Sequence, residues 1–268
     1  MKLLFLACFV AAVAALPDNV SPNRLLFDLT NFVDHFPLKT DYVPCTDENF
    51  QYCQHQFNEA LGYYGTWLDV ALFTRAINLY YKQDVRGVIQ LCNARTQLKH
   101  CFGTEYASCT SRNQFVRKGA SIANAYQVSG IFNSLDFQCT GAAIQVTENW
   151  PCIYTVWHSD SYENARNACL STFHSQPFND QNAVCTAGET LAACLALQFS
   201  VYRPPCNNRD LIWFECERTV NFFQFDGNCP NIKCQLPKPS YAEHSGKGEL
   251  YAAGRAMIHS KRSHRAKN

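Results

Sequence analysis

The chain has 268 residues, with 23 Lys and Arg against 22 Asp and Glu, 15 cysteines, 47% hydrophobic residues and only 17% charged ones. A near-zero net charge removes the surplus of cations that a nucleic-acid binder uses to neutralise phosphates, and the apolar content excludes wholesale disorder. The length suits one or two domains of about 150 residues each.

Met1-Lys2 precedes an apolar run from Leu3 to Leu16 with small residues at Ala12, Ala14 and Ala15. A positive start, a short hydrophobic stretch and an Ala-x-Ala exit predict a secretory signal peptide over residues 1–15. Pro17-Asp18-Asn19 interrupts the run before the roughly 20 apolar residues that a membrane span needs. No later segment is expected to be long and apolar enough to span, so the expected product is secreted and extracellular. Residues 16–44 form a lead-in.

Phe50, Cys53, Phe57, Ala60 and Leu61 recur at helical spacing and predict a first helix. Thr46 is its expected cap, Asp47 and Glu48 suit its N-terminal dipole, and Gly62 its end. Thr66-x-x-Asp69 resembles a capping box for a second helix, whose expected stripe is Leu68, Ala71, Leu72, Ala76 and Leu79. Asp84 opens a third through Val85, Val88, Ile89 and Cys92 towards Gly103. Ile122, Ala123, Tyr126, Ile131, Phe132 and Leu135 predict a helix broken near Gly130. Asp160-x-x-Glu163 starts the helix of Ala165, Ala168 and Cys169. Residues 183–201 form another, stopped by Pro204-Pro205. Leu211, Ile212, Cys216, Val220 and Phe223 give the clearest stripe. Strand alternation is not sustained anywhere, so the expected fold is all-α.

Cys8 falls within the signal peptide. It leaves an even set of fourteen: Cys45, Cys53, Cys92, Cys101, Cys109, Cys139, Cys152, Cys169, Cys185, Cys194, Cys206, Cys216, Cys229 and Cys234. Export into an oxidising compartment makes disulfides their expected fate, with the connectivity left open. Cys92 and Cys101 are separated by eight residues, and so are Cys185 and Cys194. A nine-residue helical step turns about 900°, half a turn out of phase. Each pair is therefore expected to tie one helix to two different neighbours. This predicts a disulfide-stapled helical bundle over 45–234 with internal duplication, in halves 45–139 and 152–234, and core-facing cysteines throughout.

Residues 235–268 change character. Leu236-Pro237-Lys238-Pro239-Ser240 leaves the helical pattern, and Arg255, Lys261, Arg262, Arg265 and Lys267 follow with no acid among them. Such a run reads as a solvated tail, or as an arm for sulfated glycans and other polyanions. Lys261-Arg262 is a dibasic processing signal. Asn19-Val20-Ser21 is the single N-glycosylation sequon, followed by Pro22. Ser129-Gly130 and Ser245-Gly246 are minimal glycosaminoglycan acceptors. Ser245 is the better candidate because Ser129 falls in the predicted helical core.

Catalytic constellations are sparse. Neither a Gly-x-Ser-x-Gly elbow nor a His-Glu-x-x-His zinc helix is present. His158, Ser159 and Asp160 are consecutive and do not by themselves form a triad. His100 beside Cys101 invites a Cys–His reading, against which the export context favours a half-cystine. Cys229-x4-Cys234 has a zinc-like spacing with no second pair to complete it. The reading calls for no cofactor and no metal. Trp67, Phe73, Tyr80 and Tyr81 would either line a pocket for a small apolar ligand or form core.

The order of features resembles a nematode secreted domain of the chondroitin proteoglycan 4 type. The residues that carry the likeness are Cys45, then Cys53-Gln-His-Gln-Phe-Asn-Glu-Ala-Leu-Gly, Leu91-Cys92, Cys101, Cys109, Leu135-Asp136-Phe137-Gln138-Cys139 and Asn149-Trp150-Pro151-Cys152. The half containing Cys169, Cys185, Cys194, Cys206 and Cys216 also looks like the helical twelve-cysteine domain of unknown function found in nematodes. The resemblance implies an extracellular, non-catalytic, disulfide-bonded domain, sometimes associated with chondroitin; the expected partner is an extracellular protein or a sulfated glycan. The acidic Ser-Gly clusters of proteoglycan members are missing from this sequence. The expected function is thus a secreted structural or interaction protein, with carriage of a small apolar ligand as the alternative.

Overall fold

The computed structural model describes residues 44–177 and 180–234, and within them every regular element is helical. The helices are α1 (Asp47–Ala60), α2 (Val70–Tyr81), α3 (Val85–Phe102), α4 (Tyr106–Cys109), α5 (Arg112–Arg117), α6 (Ile122–Cys139), α7 (Ala143–Trp157), α8 (Asp160–His174), α9 (Gln181–Ser200) and α10 (Arg209–Phe223).

Short polar side chains set most of the starts. Asp69, Asp84, Ser111, Ser121, Ser159, Asp180 and Asn208 each accept a backbone N–H from the first turn that follows, which satisfies a donor the helix itself leaves unpaired. Asp69 is thus the cap itself rather than the far end of a capping box begun at Thr66. Ser159, not Asp160, caps α8, with Asp160 and Glu163 in its first turn. Thr46 occupies the N-cap position of α1 without a side-chain cap bond; its hydroxyl donates to Glu105 instead. Gly62 ends α1 as expected. It sits at φ +58°, and the N–H groups of Gly62 and Tyr63 return to Glu59 and Asn58 at 3.0 and 2.8 Å, a Schellman closure that needs the left-handed backbone glycine accepts.

Burial corrects three predicted faces. On α2 the inward side is Val70, Phe73, Thr74, Ala76, Ile77 and Tyr81, while Leu72 and Leu79 are half exposed. Two apolar stripes compete on this helix, and the one with the larger rings displaces the leucines from the core. On α3, Ile89 is likewise nearly half exposed beside buried Val88 and Leu91. On α10, Ile212 is only half buried, and nearly every other side of the helix is enclosed.

α6 runs unbroken through Gly130, where the sequence suggests a break. Gly130 instead admits a neighbour: a Cβ there would lie 2.7 Å from the Phe222 ring of α10. α4, α5 and α7 have no counterpart among the predicted helices, and α7 carries Pro151 inside it, where proline disfavours a helix. Its inner face of Val146, Trp150, Ile153, Val156 and Trp157 is buried all the same.

The fourteen cysteines form seven disulfides: Cys45–Cys109, Cys53–Cys101, Cys92–Cys139, Cys152–Cys206, Cys169–Cys194, Cys185–Cys229 and Cys216–Cys234. The half-turn argument holds for both long helices. α3 is tied to α1 through Cys101 and to the end of α6 through Cys92, and α9 to α8 through Cys194 and to Cys229 beyond α10 through Cys185. Among the described residues no disulfide joins 45–139 to 152–234. The first six cysteines pair first with fifth, second with fourth and third with sixth. With Cys216–Cys234 set aside, the remaining six repeat that order. The cysteines are not uniformly core-facing: Cys92, Cys101, Cys185 and Cys194 are only half buried, at the margin where each long helix leaves its packed side.

α9 is long and apolar enough to cross a membrane, with a mean hydropathy of 1.3, contrary to the expectation that no such segment follows the N-terminus. In this fold its Val184, Leu191, Leu195 and Phe199 are buried, and both its cysteines are bonded to neighbours. A core helix of a bundle passes the same length-and-composition test.

Candidate functional site

Trp67 heads an aromatic core. Its ring lies 4.8–6.3 Å from those of Phe50, Phe57, Phe73, Phe115 and Phe132, and its indole N–H donates to Asn58 at 2.8 Å. Each such fully buried ring contributes about 1.5–3 kcal/mol through lost hydration. Trp67 and Phe73 therefore face other rings. Tyr81 belongs to a separate network, and Tyr80 is half buried with its hydroxyl on the Ala60 carbonyl at 3.5 Å. The four aromatics proposed for an apolar pocket do not share one.

Five helices meet at Glu215, which is fully buried on α10. Arg218, one turn on, donates to it through Nε at 3.1 Å and through a terminal nitrogen at 2.6 Å. Tyr162 of α8 donates at 2.6 Å and the Trp157 indole of α7 at 3.1 Å. The Arg218 guanidinium also lies 4.9 Å from the Trp157 ring, and its backbone carbonyl accepts from Ser134 of α6. Tyr81 of α2 completes the layer by donating to Gln138 of α6 at 2.9 Å. Burial pushes the Tyr162 phenol far up, and the Glu215 charge pushes it further; burial likewise raises Tyr81. Both phenols stay neutral donors. Burial opposes the Arg218 charge, but Glu215 more than offsets it. Hydrogen bonds from three helices converge on one buried carboxylate, and such a satisfied network fixes how the helices pack.

The sulfurs of Cys45 and Cys109 and the Glu105 carboxylate lie within 4.8 Å of one another. The two sulfurs are bonded to each other, so they offer no thiolate to a metal. Glu105 is occupied by the start of α1: it accepts from the Thr46 N–H at 3.1 Å, the Thr46 hydroxyl at 3.3 Å and the Asn49 amide at 3.2 Å. The Thr46 N–H and the Asn49 amide hold its carboxyl below the ordinary glutamate value.

An open cleft of about 230 Å³ lies between α4, α6 and the turn Phe225–Gly227. Tyr106, Phe132, Asp136, Gln224, Phe225 and Asp226 bound it, with Ser129 and Asn133 on the α6 wall. Asp136 Oδ1 accepts from Arg95 and, at 2.6 Å, from Tyr106. Burial and the Asp136 charge raise the Tyr106 phenol far above its usual range, which keeps it a donor. Asp226, at φ +53°, accepts the Arg112 N–H at 3.0 Å, with the Arg112 Nε at 3.8 Å. Sequence reasoning named Ser129 as a glycan acceptor, Phe132 as a helix-face residue and Asp136 within the family resemblance, but did not bring them together or single out Tyr106, Gln224 or Asp226. They come from three segments far apart in the chain, and no local spacing announces the cleft.

The other expected sites fall as follows. His100 adjoins Cys101, which is bonded to Cys53, and Cys229 and Cys234 bond different partners. The His158 ring stacks on Tyr154 at 4.0 Å; Ser159 caps α8. Ser129 is buried and is closed to glycan addition in the folded chain. The signal peptide, Asn19, Ser245 and the basic residues Arg255, Lys261, Arg262, Arg265 and Lys267 lie outside the described residues.

Together these features define a cysteine-rich, disulfide-linked all-helical domain, and seven disulfides are the chemistry of an oxidising, extracellular setting. No protein-family model, no curated protein and no solved structure matches the chain.

Proposed function

We propose that the chain acts outside the cell as a non-catalytic structural or interaction protein, a matrix component of the chondroitin-proteoglycan kind. The observation that supports this reading is the complete pairing of Cys45 to Cys234. Paired sulfurs supply no nucleophile and no soft metal ligand, and cross-links restrict the unfolded chain where no chaperone or reductant attends it. The basic residues Arg255, Lys261, Arg262, Arg265 and Lys267 supply a contact for sulfated glycans, and Ser245 the acceptor for an attached chain.

The test is chondroitinase treatment of protein taken from its native source, followed by chromatography on immobilised chondroitin sulfate. The expected result is a mobility shift that Ser245→Ala abolishes, together with salt-dependent retention that is lost when the five basic residues become alanine. Unchanged mobility with elution at the lowest salt overturns the matrix reading. Turnover of a fluorogenic ester or peptide by the same preparation overturns the non-catalytic one.

A further inference from the structure

The cleft between α4, α6 and the Phe225–Gly227 turn has an unbalanced set of hydrogen-bonding atoms. Four of its donor groups already bond protein acceptors. The Tyr106 hydroxyl donates to Asp136, the Thr110 hydroxyl to the Tyr106 carbonyl at 2.8 Å, the Asn133 amide to the Asn221 carbonyl and the Gln224 amide to the Ile232 carbonyl at 3.1 Å. Because each amide nitrogen is identified by the carbonyl it faces, the oxygens of Asn133 and Gln224 remain as acceptors. Asp136 takes both its bonds on Oδ1, leaving Oδ2 without one among the described residues.

Ser129 is the independent sign. It is 2% exposed, lines the cleft, and its hydroxyl has no hydrogen-bond partner, which is costly for a buried polar group. The cations nearby do not face the opening. The Arg95 and Arg112 side chains are 4% and 0% exposed behind Asp136 and Asp226, which are 27% and 9% exposed. The wall therefore presents carboxylate and amide oxygens beside the Phe225 ring. A space of about 230 Å³ far exceeds the roughly 30 Å³ share of one water, which suits a small organic molecule better than a bare ion.

We propose that this cleft binds a small primary ammonium with a compact apolar body, its charge on Asp136 Oδ2 and its N–H groups shared among Ser129 Oγ and the Asn133 and Gln224 oxygens. The ammonium supplies donors to oxygens that accept no hydrogen bond from the protein, and the apolar body lies against Phe225. The site does not depend on whether the chain belongs to a matrix.

The test is an amide-resolved NMR titration of the disulfide-intact protein with benzylammonium, benzyl alcohol and calcium chloride in parallel. Benzylammonium should shift residues 106–110, 129–136 and 224–227 saturably and bind at least about ten-fold tighter than benzyl alcohol, as one charge-assisted hydrogen bond allows. Asp136→Asn should lose that ten-fold advantage. Because Asp136 also pairs Arg95, Ala107→Trp is the second variant: Ala107 is exposed and lines the cleft, so the indole fills the space without removing a hydrogen bond, and binding should vanish with the helical spectrum intact. Equal affinity for the alcohol, no saturable shift, or unchanged binding in Ala107→Trp overturns the proposal. Calcium shifting these residues where benzylammonium does not reassigns the cleft to a metal and overturns it as well.

Discussion

Gly130 of α6 lies directly against the ring of Phe222 on α10, so closely that a single methyl group at Gly130 would approach the ring to 2.7 Å. The two halves of the cysteine pattern meet here without a disulfide between them, and close backbone approach takes the place of a covalent tie.

Gly130→Ala is therefore expected to lose about 1–3 kcal/mol despite the better helix propensity of alanine, because overpacking a filled contact outweighs it. Gly188→Ala, which meets the Phe223 ring at 3.0 Å, should cost less. Guanidinium unfolding of both variants checks the order. A stabilised Gly130→Ala would mean that α6 and α10 separate more easily than their contact implies.

At the Glu215 layer, Glu215→Gln leaves the buried Arg218 charge uncompensated and should cost about 3–5 kcal/mol. The double variant Glu215→Leu with Arg218→Met removes both charges and should recover most of that loss, leaving the Tyr162 hydroxyl and Trp157 indole as the residual penalty. A double variant no more stable than the single one would show that the layer is held by hydrogen bonds rather than by the ion pair.

Removing Cys92–Cys139 as paired alanines should cost about 2–4 kcal/mol through the freed unfolded chain. Its partners are 47 residues apart, against 18 for Cys216–Cys234. On closure entropy alone the shorter bridge should matter less by about 1 kcal/mol. Unfolding midpoints of the two double variants, with free-thiol titration reading zero in both, decide between this entropic account and one set by local packing.

Acid should loosen the start of α1. The Glu105 carboxyl titrates below its ordinary 4.5 because the Thr46 N–H and the Asn49 amide hydrogen-bond to the charged form. A depressed folded value means the contribution is present above the unfolded value and is lost as pH falls through the folded one. The Thr46 amide signal should hold steady at pH 6 and move well below pH 4.5. Asp47 is also lowered, by Lys118, so Glu105→Gln serves as the comparator: it should abolish the Thr46 change and leave that of Asp47. An unmoved Thr46 signal would rule out the tertiary cap.

Local chemistry is what the order of residues makes readable. Asp84, Gly62 and the stripe around Cys216 act through atoms a few positions away, so the helical class and most element starts follow from short windows. Gly130 misleads for the same reason, since its local penalty is outweighed by the packing of Phe222 against it, and α7 forms despite Pro151 with Trp150 and Trp157 buried on its inner side.

The chain alone determined an all-α, cysteine-stapled molecule with each long helix tied to two partners, because a nine-residue helical step turns two cysteines away from each other wherever the helix sits. Only the tertiary structure decided which sulfurs meet, which stripe of α2 turns inward, and that Asp136, Ser129, Gln224 and Asp226 share one cleft. Those outcomes depend on distances between segments far apart in the chain, which compete for the same core volume and are settled together when the helices pack.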